Sequence, residues 1–237
     1  QFSVKNLNKH CHSHIMPKNT LPFDVLITNT TAFVKQELNG AEGGHDWFHV
    51  ERVYKNALLI SENENTNKTI VALGALLHDI ADSKFHQGDE SIGPRKAKAF
   101  LQTQGVSQNT ITQVIKIIEN VSFKGGNTIK TFHSKELEVI QDADRLDAIG
   151  AIGIARTFNY GGFKNRAIYD PSIKPDLNMS AAQYKASKAP TINHFYEKLL
   201  LLKDKMNTVS GKKIAQERHE FMEKFLEQFY QEWSGEK

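Results

Sequence analysis

Ile70-Val71-Ala72-Leu73-Gly74-Ala75-Leu76-Leu77-His78-Asp79-Ile80-Ala81-Asp82 opens as the most apolar helical stretch of the chain and closes on three polar side chains. The apolar run is far too short to span a bilayer, which takes roughly 20 residues. Asp82 follows Asp79 by three positions and His78 by four, so a helix would place all three on one wall. Gly74 and Ala75, one turn earlier, are expected to leave room above them. Burying imidazole or carboxylate costs several kcal/mol unless something compensates it. A site would explain that cost; an exposed helix end with a chance His-Asp dipeptide is the plainer alternative. His45-Asp46 is a second such dipeptide.

Outward from this stretch, the pattern from Asp24 on is almost wholly helical. The periodicity predicts helices near 23–38, 45–61, 68–81, 92–104, 108–121, 134–158, 180–207 and 212–232. Punctuation supports them: Asn39-Gly40 ends the first, Gly105 ends the fourth and Ser107 caps the fifth. A short strand pair near 124–132 is the most that period-2 patterning allows. The long loop 159–178 contains Gly161, Gly162, Pro171 and Pro175. Loops of that length are commonly lids or disordered. The expected architecture is all-α: a flexible tail over residues 1–24, then one helical bundle over 25–235.

Composition narrows the function classes. With 237 residues, 39% hydrophobic content and 24% charge, the chain has the make-up of a soluble globular domain. A net charge of +3, with lysines scattered, gives no polyanion-binding face. The single cysteine, Cys11, excludes an intrachain disulfide and a thiolate zinc cluster. One cysteine suits a reducing, cytoplasmic setting. Residues 1–14 lack the apolar core of a signal peptide.

Two more segments place polar groups on faces that should be buried. In Gly44-His45-Asp46-Trp47-Phe48-His49-Val50-Glu51-Arg52-Val53, His49 borders the side shared by Val50, Val53 and Ala57. Alone, it reads as a core histidine bonded to a carbonyl sooner than as a ligand. Gln141-Asp142-Ala143-Asp144-Arg145-Leu146-Asp147-Ala148 offers three aspartates, which could also form a solvated acidic face. Asp144, with Ile140, Ala148 and Ala151 around it, is the half-buried one. Asp142 reads as a partner of Arg145 in polar surroundings, and Asp147 as a support or as the wall a substrate touches. Asp46 reads as a first-turn carboxylate favoured by the helix dipole. His45 and His49 as an i, i+4 ligand pair lack a glutamate between them at the right place, so His45 reads as a substrate or supporting group. One divalent cation held by His49, His78, Asp79 and Asp144 would compensate all four together.

The order His, His-Asp, Asp, carried by the strings just quoted, resembles the HD superfamily of metal-dependent phosphohydrolases. The string from Gly44 to Val53, Leu77-His78-Asp79-Ile80-Ala81-Asp82, and Gln141-Asp142-Ala143-Asp144-Arg145-Leu146-Asp147-Ala148-Ile149-Gly150-Ala151-Ile152-Gly153-Ile154-Ala155-Arg156 look like its bacterial YpgQ-type branch. The resemblance spans roughly residues 25–235. It implies an HD-type all-α bundle, a divalent ion on His49, His78, Asp79 and Asp144, and nucleotide pyrophosphohydrolase activity. It also implies a catalytic role for Asp82, the acid three places after the metal-binding aspartate. Alarmone hydrolases of the superfamily have two consecutive acids there; Asp82-Ser83 argues against that substrate.

Two imidazoles and two carboxylates suit six-coordinate Mn²⁺, Co²⁺, Ni²⁺ or Fe²⁺, with Mg²⁺ the weaker imidazole binder; Mn²⁺ is favoured. Asp82 would take a proton from water, and Lys84 and Lys124 would face the phosphates of a nucleotide substrate. Lys164 and Arg166 in the long loop would close over a triphosphate. Trp47, Phe85 or Tyr160 would stack on a base. The alternatives are a nucleotide phosphomonoesterase on the same site, a di-iron oxygenase using His45 or His86, and a non-catalytic nucleotide-binding module.

Overall fold

The computed structural model describes residues 21–41, 45–80, 89–121 and 132–237. Ten α-helices appear among them: α1 (Phe23–Glu37), α2 (Trp47–Ser61), α3 (Lys68–Leu77), α4 (Ile92–Thr103), α5 (Gln108–Asn120), α6 (Lys135–Asp147), α7 (Gly150–Phe163), α8 (Ala181–Ala186), α9 (Asn193–Glu197) and α10 (Val209–Ser234). No strand occurs among the described residues. The expected strand pair falls mostly on 122–131, outside them, as does the expected tail over 1–20. Helix α1 starts at Phe23, just inside the segment expected to be tail.

Helix α3 is the axis of the bundle. Asn67 caps it by accepting from the amides of Thr69 and Ile70. Every residue from Ile70 to Leu77 is buried, because α1, α2, α5 and α6 pack around it. Each large aliphatic side chain so buried stabilises the fold by about 1.5–3 kcal/mol. Gly74 serves this packing rather than leaving room above the polar groups. A Cβ there would lie 2.6 Å from Ile140 Cδ1, so the missing side chain lets α6 approach. One connected core extends from Leu26 on α1 to Leu226 on α10. No helix among the described residues is long and apolar enough to cross a membrane.

The structure departs from the periodicity in four places, one being that α7 runs on to Phe163 and takes Gly161 and Gly162 out of the loop expected over 159–178. Helix α3 stops at Leu77, so His78 and Asp79 lie in the turn after it. The single helix expected over 134–158 is two, broken at Ala148-Ile149, with Gly150 at φ +73°. The apolar run continues across this break, so periodicity does not show it. The helix expected over 180–207 is a series of short pieces: α8, α9 and two 3₁₀ turns, Leu199–Leu201 and Lys203–Lys205. Pro190 sits inside that span and cannot donate to a helix ladder. Thr191 and Ile192 instead donate their amides to the carbonyls of Ala167 and Ile168.

Those bonds also decide the nature of the long loop. Arg166 Nη2 donates to Ser187 O at 2.7 Å and Asn193 Nδ2 to Ile173 O at 3.0 Å. The loop is fastened to the bundle, a different arrangement from the expected lid. Asp142 and Arg145 are paired as expected, at 3.1 Å. The surroundings of Asp142 are polar, since it also accepts from the amides of Asn207 and Thr208 and caps the approach to α10, but it is fully buried among them.

The α6–α7 break makes a first prediction. At Gly150 a Cβ would lie 2.9–3.2 Å from the Arg218 stem, and the backbone is left-handed. Gly150→Ala is expected to lower stability by about 1–3 kcal/mol, read from urea unfolding.

Candidate metal centre

Asp46 caps α2 by accepting from the amide of His49 at 2.9 Å, which fixes His49 in the first turn. His49 is 3% exposed. Its Nδ1 lies 2.7 Å from Asp147 Oδ2 on α6, and its Nε2 lies 3.5 Å from Asp144 Oδ1. His78 leaves the end of α3 with Nδ1 donating to Ala75 O at 2.8 Å. Its ring meets that of His49 edge-on, with centroids 5.4 Å apart.

These partners fix the chemistry of both rings. A carboxylate and a carbonyl only accept, so each Nδ1 carries the proton and each Nε2 keeps its lone pair. Histidines that bind metals are prepared in this way. One ligand atom each from His49, His78 and Asp144 lie within 4.8 Å of one another. A second group at the same spacing comprises His45, His49 and Asp79, and His49 joins the two. All four residues expected to hold metal therefore meet at one end of α3. Donor atoms sharing an ion at about 2.1 Å lie roughly 3.0–3.5 Å apart, the spacing of His49 and Asp144. A mixed nitrogen–oxygen set with no thiolate fits a divalent first-row ion.

Supporting contacts explain why the cluster is stable. His45 precedes α2, so it is no helical partner of His49; its Nδ1 sits 2.6 Å from Asp79 Oδ2. Burial alone would raise the Asp79 pKa, yet the His45 hydrogen bond holds it below the usual carboxylate range. His45 thus orients the Asp79 carboxylate. Asp147 is 1% exposed and lies beneath His49. Arg52 donates to both its oxygens through Nε and Nη2, and Arg156 Nη1 donates to Oδ2. Burial opposes the anion, but these donors outweigh burial and depress the Asp147 pKa strongly. Asp147 accordingly supports His49, and facing a substrate does not fit its burial.

Arg156, from α7, was not legible as a site residue. Only the α6–α7 break turns it back onto Asp147, where it also donates to the Asp147 carbonyl. Asp82, Lys84, Lys124, Phe85 and His86 lie outside the described residues. Trp47 packs on the core beneath Lys35. Tyr160 is half exposed, with Arg166 5.6 Å from its ring centroid.

The HD domain family matches residues 47–149, a span that contains His49, His78, Asp79 and Asp144. YpgQ of Bacillus subtilis is 36% identical over 206 residues, covering 86% of this chain and 91% of its own. The chain belongs to the HD-domain family. It is an HD-superfamily hydrolase, in a family of metal-dependent phosphohydrolases. A crystal structure of an HD-superfamily hydrolase from Bacillus thuringiensis superposes with a TM-score of 0.73 at 43% identity, covering 90% of this chain and 99% of that one. Bacillus subtilis YpgQ in complex with ADP superposes at 0.70 with 33% identity, covering 89% and 96%. His45, Arg156 and the whole of α7–α10 lie outside the matched HD segment.

Proposed function

We propose that this HD hydrolase cleaves the α–β phosphoanhydride of nucleoside triphosphates, releasing nucleoside monophosphate and pyrophosphate. The observation that carries the reading is the gathering of His49 and His78, each with Nδ1 already bonded, beside the carboxylates of Asp144 and Asp79. The ADP complex of YpgQ supports a nucleotide as the ligand class. A bound divalent ion, Mn²⁺ in the first instance, supplies Lewis acidity toward a phosphoryl oxygen and makes water more acidic.

The side chains supply the rest. His49, His78, Asp79 and Asp144 hold the ion; Asp147 and the Ala75 carbonyl keep both rings in the required tautomer. His45 binds one oxygen of Asp79 and leaves the other for the ion. On the sequence reading, Asp82 receives the proton of the attacking water, and Lys84 and Lys124 balance charge on the phosphates. The water oxygen bonds to the α phosphorus, the bond from that phosphorus to the bridging oxygen breaks, and pyrophosphate leaves.

The test is a nucleoside triphosphate panel with Mn²⁺ in ¹⁸O-water, with products separated and weighed. Monophosphate carrying the label, with pyrophosphate unlabelled, is the expected result. Orthophosphate as the sole phosphate product would mark a phosphatase, and binding without turnover a nucleotide-binding module. Oxygen consumption with two irons per chain would mark an oxygenase.

A further inference from the structure

Arg218 lies on α10, outside the matched HD segment, yet it touches both helices that carry the site. Its Nη2 donates to Asn56 Oδ1 on α2 at 3.0 Å, and its Nη1 to the carbonyl of Leu146 on α6. Asn56 in turn places Nδ2 3.5 Å from Ala143 O. The stem of Arg218 occupies the space beside Gly150, where a Cβ would meet its Cβ, Cγ and Cδ. We propose that Arg218 is a positioning residue of the metal centre: one guanidinium fork, bridging Asn56 and the Leu146 carbonyl, holds α2 and α6 at the separation that His49 and Asp144 need.

The geometry supports this in three ways. Leu146 lies between Asp144 and Asp147, so a bond to its carbonyl fixes the turn that carries both aspartates. That carbonyl belongs to the last turn of α6, where peptide dipoles favour a cation. A rigid fork with several donors can reach two acceptors on different helices, which a single ammonium cannot do in the same geometry. Burial pushes the Arg218 pKa down, and the Asp147 carboxylate opposes this, so the two charges sense each other. The Arg218 fork therefore couples α10 to a centre whose ligands lie on α2, α6 and the turn after α3.

This inference rests on the metal reading above, and the test separates the two. Metal-free protein is titrated with Mn²⁺ by calorimetry, while urea unfolding reports stability independently. Arg218→Met is expected to bind Mn²⁺ about 10–100-fold more weakly, with part of the lost activity recovered by excess Mn²⁺. Arg218→Lys is expected to fall between that variant and the wild type. Should Arg218→Met not fold, Asn56→Ala decides, with a loss of about 10-fold expected. Unchanged Mn²⁺ affinity in the folded variant, with only stability lowered, overturns the positioning role and leaves the metal site standing. Failure of the wild-type chain to bind Mn²⁺ overturns both.

Discussion

Asp79→Ala is expected to remove metal-dependent hydrolysis, lowering kcat/KM by about 10³-fold or more, or about 4 kcal/mol of transition-state stabilisation. Two losses combine in this substitution. One carboxylate of the ligand set disappears, and His45 loses the acceptor 2.6 Å from its Nδ1. Calorimetric titration of metal-free protein with Mn²⁺ should show binding weakened in parallel. The fold should survive, because Asp79 sits in the turn after α3 rather than within the apolar helix. Full activity in this variant would reject the assigned site. Asp79→Asn is a sharper control: the amide keeps the shape but carries no charge for a cation, so hydrolysis should stay low with stability near the wild type.

The second large effect concerns Asp147. Asp147→Ala leaves the His49 Nδ1 proton and two guanidinium groups without their shared acceptor. Breaking a buried pair costs about 3–5 kcal/mol, and the partial exposure of Arg52 and Arg156 lowers the expectation to about 2–4 kcal/mol. Asp147→Asn should cost less stability but more function. The amide has one acceptor oxygen where the carboxylate had two, so it cannot satisfy His49, Arg52 and Arg156 together, and the His49 ring is held less firmly. Mn²⁺ affinity is expected to fall about 10–100-fold while the chain remains folded.

Asp147 also predicts a pH dependence with a definite sign. Its folded-state pKa lies below the ordinary carboxylate value, so the unfolded chain binds more protons between the two. Its stabilising contribution is therefore complete above the ordinary value, about 3.9, and is lost as pH falls through the depressed one. Urea unfolding of wild type and Asp147→Asn should show a gap that is constant near neutrality and narrows below about pH 4. A gap that widens on acidification would contradict the ion-pair assignment.

These contacts mark the border between what the chain states in one dimension and what it does not. The buried run Ile70–Leu77, the Ser107 cap and the Gly40 and Gly105 stops were legible, because periodicity and capping are local. His49, His78, Asp79 and Asp144 were legible for a related reason. Polar groups in apolar surroundings demand compensation, and that demand shows in the sequence even when the compensating partner does not. Pro190 is a local breaker that the single helix expected over 180–207 left out of account. The direction of each ring, by contrast, depends on Asp147 and the Ala75 carbonyl, and no spacing rule reaches from residue 49 to residue 147.

By itself, then, the amino-acid order determined an all-helical chain and the residue types that a cation requires. Tertiary structure alone decided that α6 breaks before Gly150, that Arg156 folds back on Asp147, and that Arg218 reaches across from the last helix. The reason is physical. Helix propensity and burial act over a few residues, whereas a hydrogen-bonded charge takes its partner from whichever helix packing brings within about 3 Å.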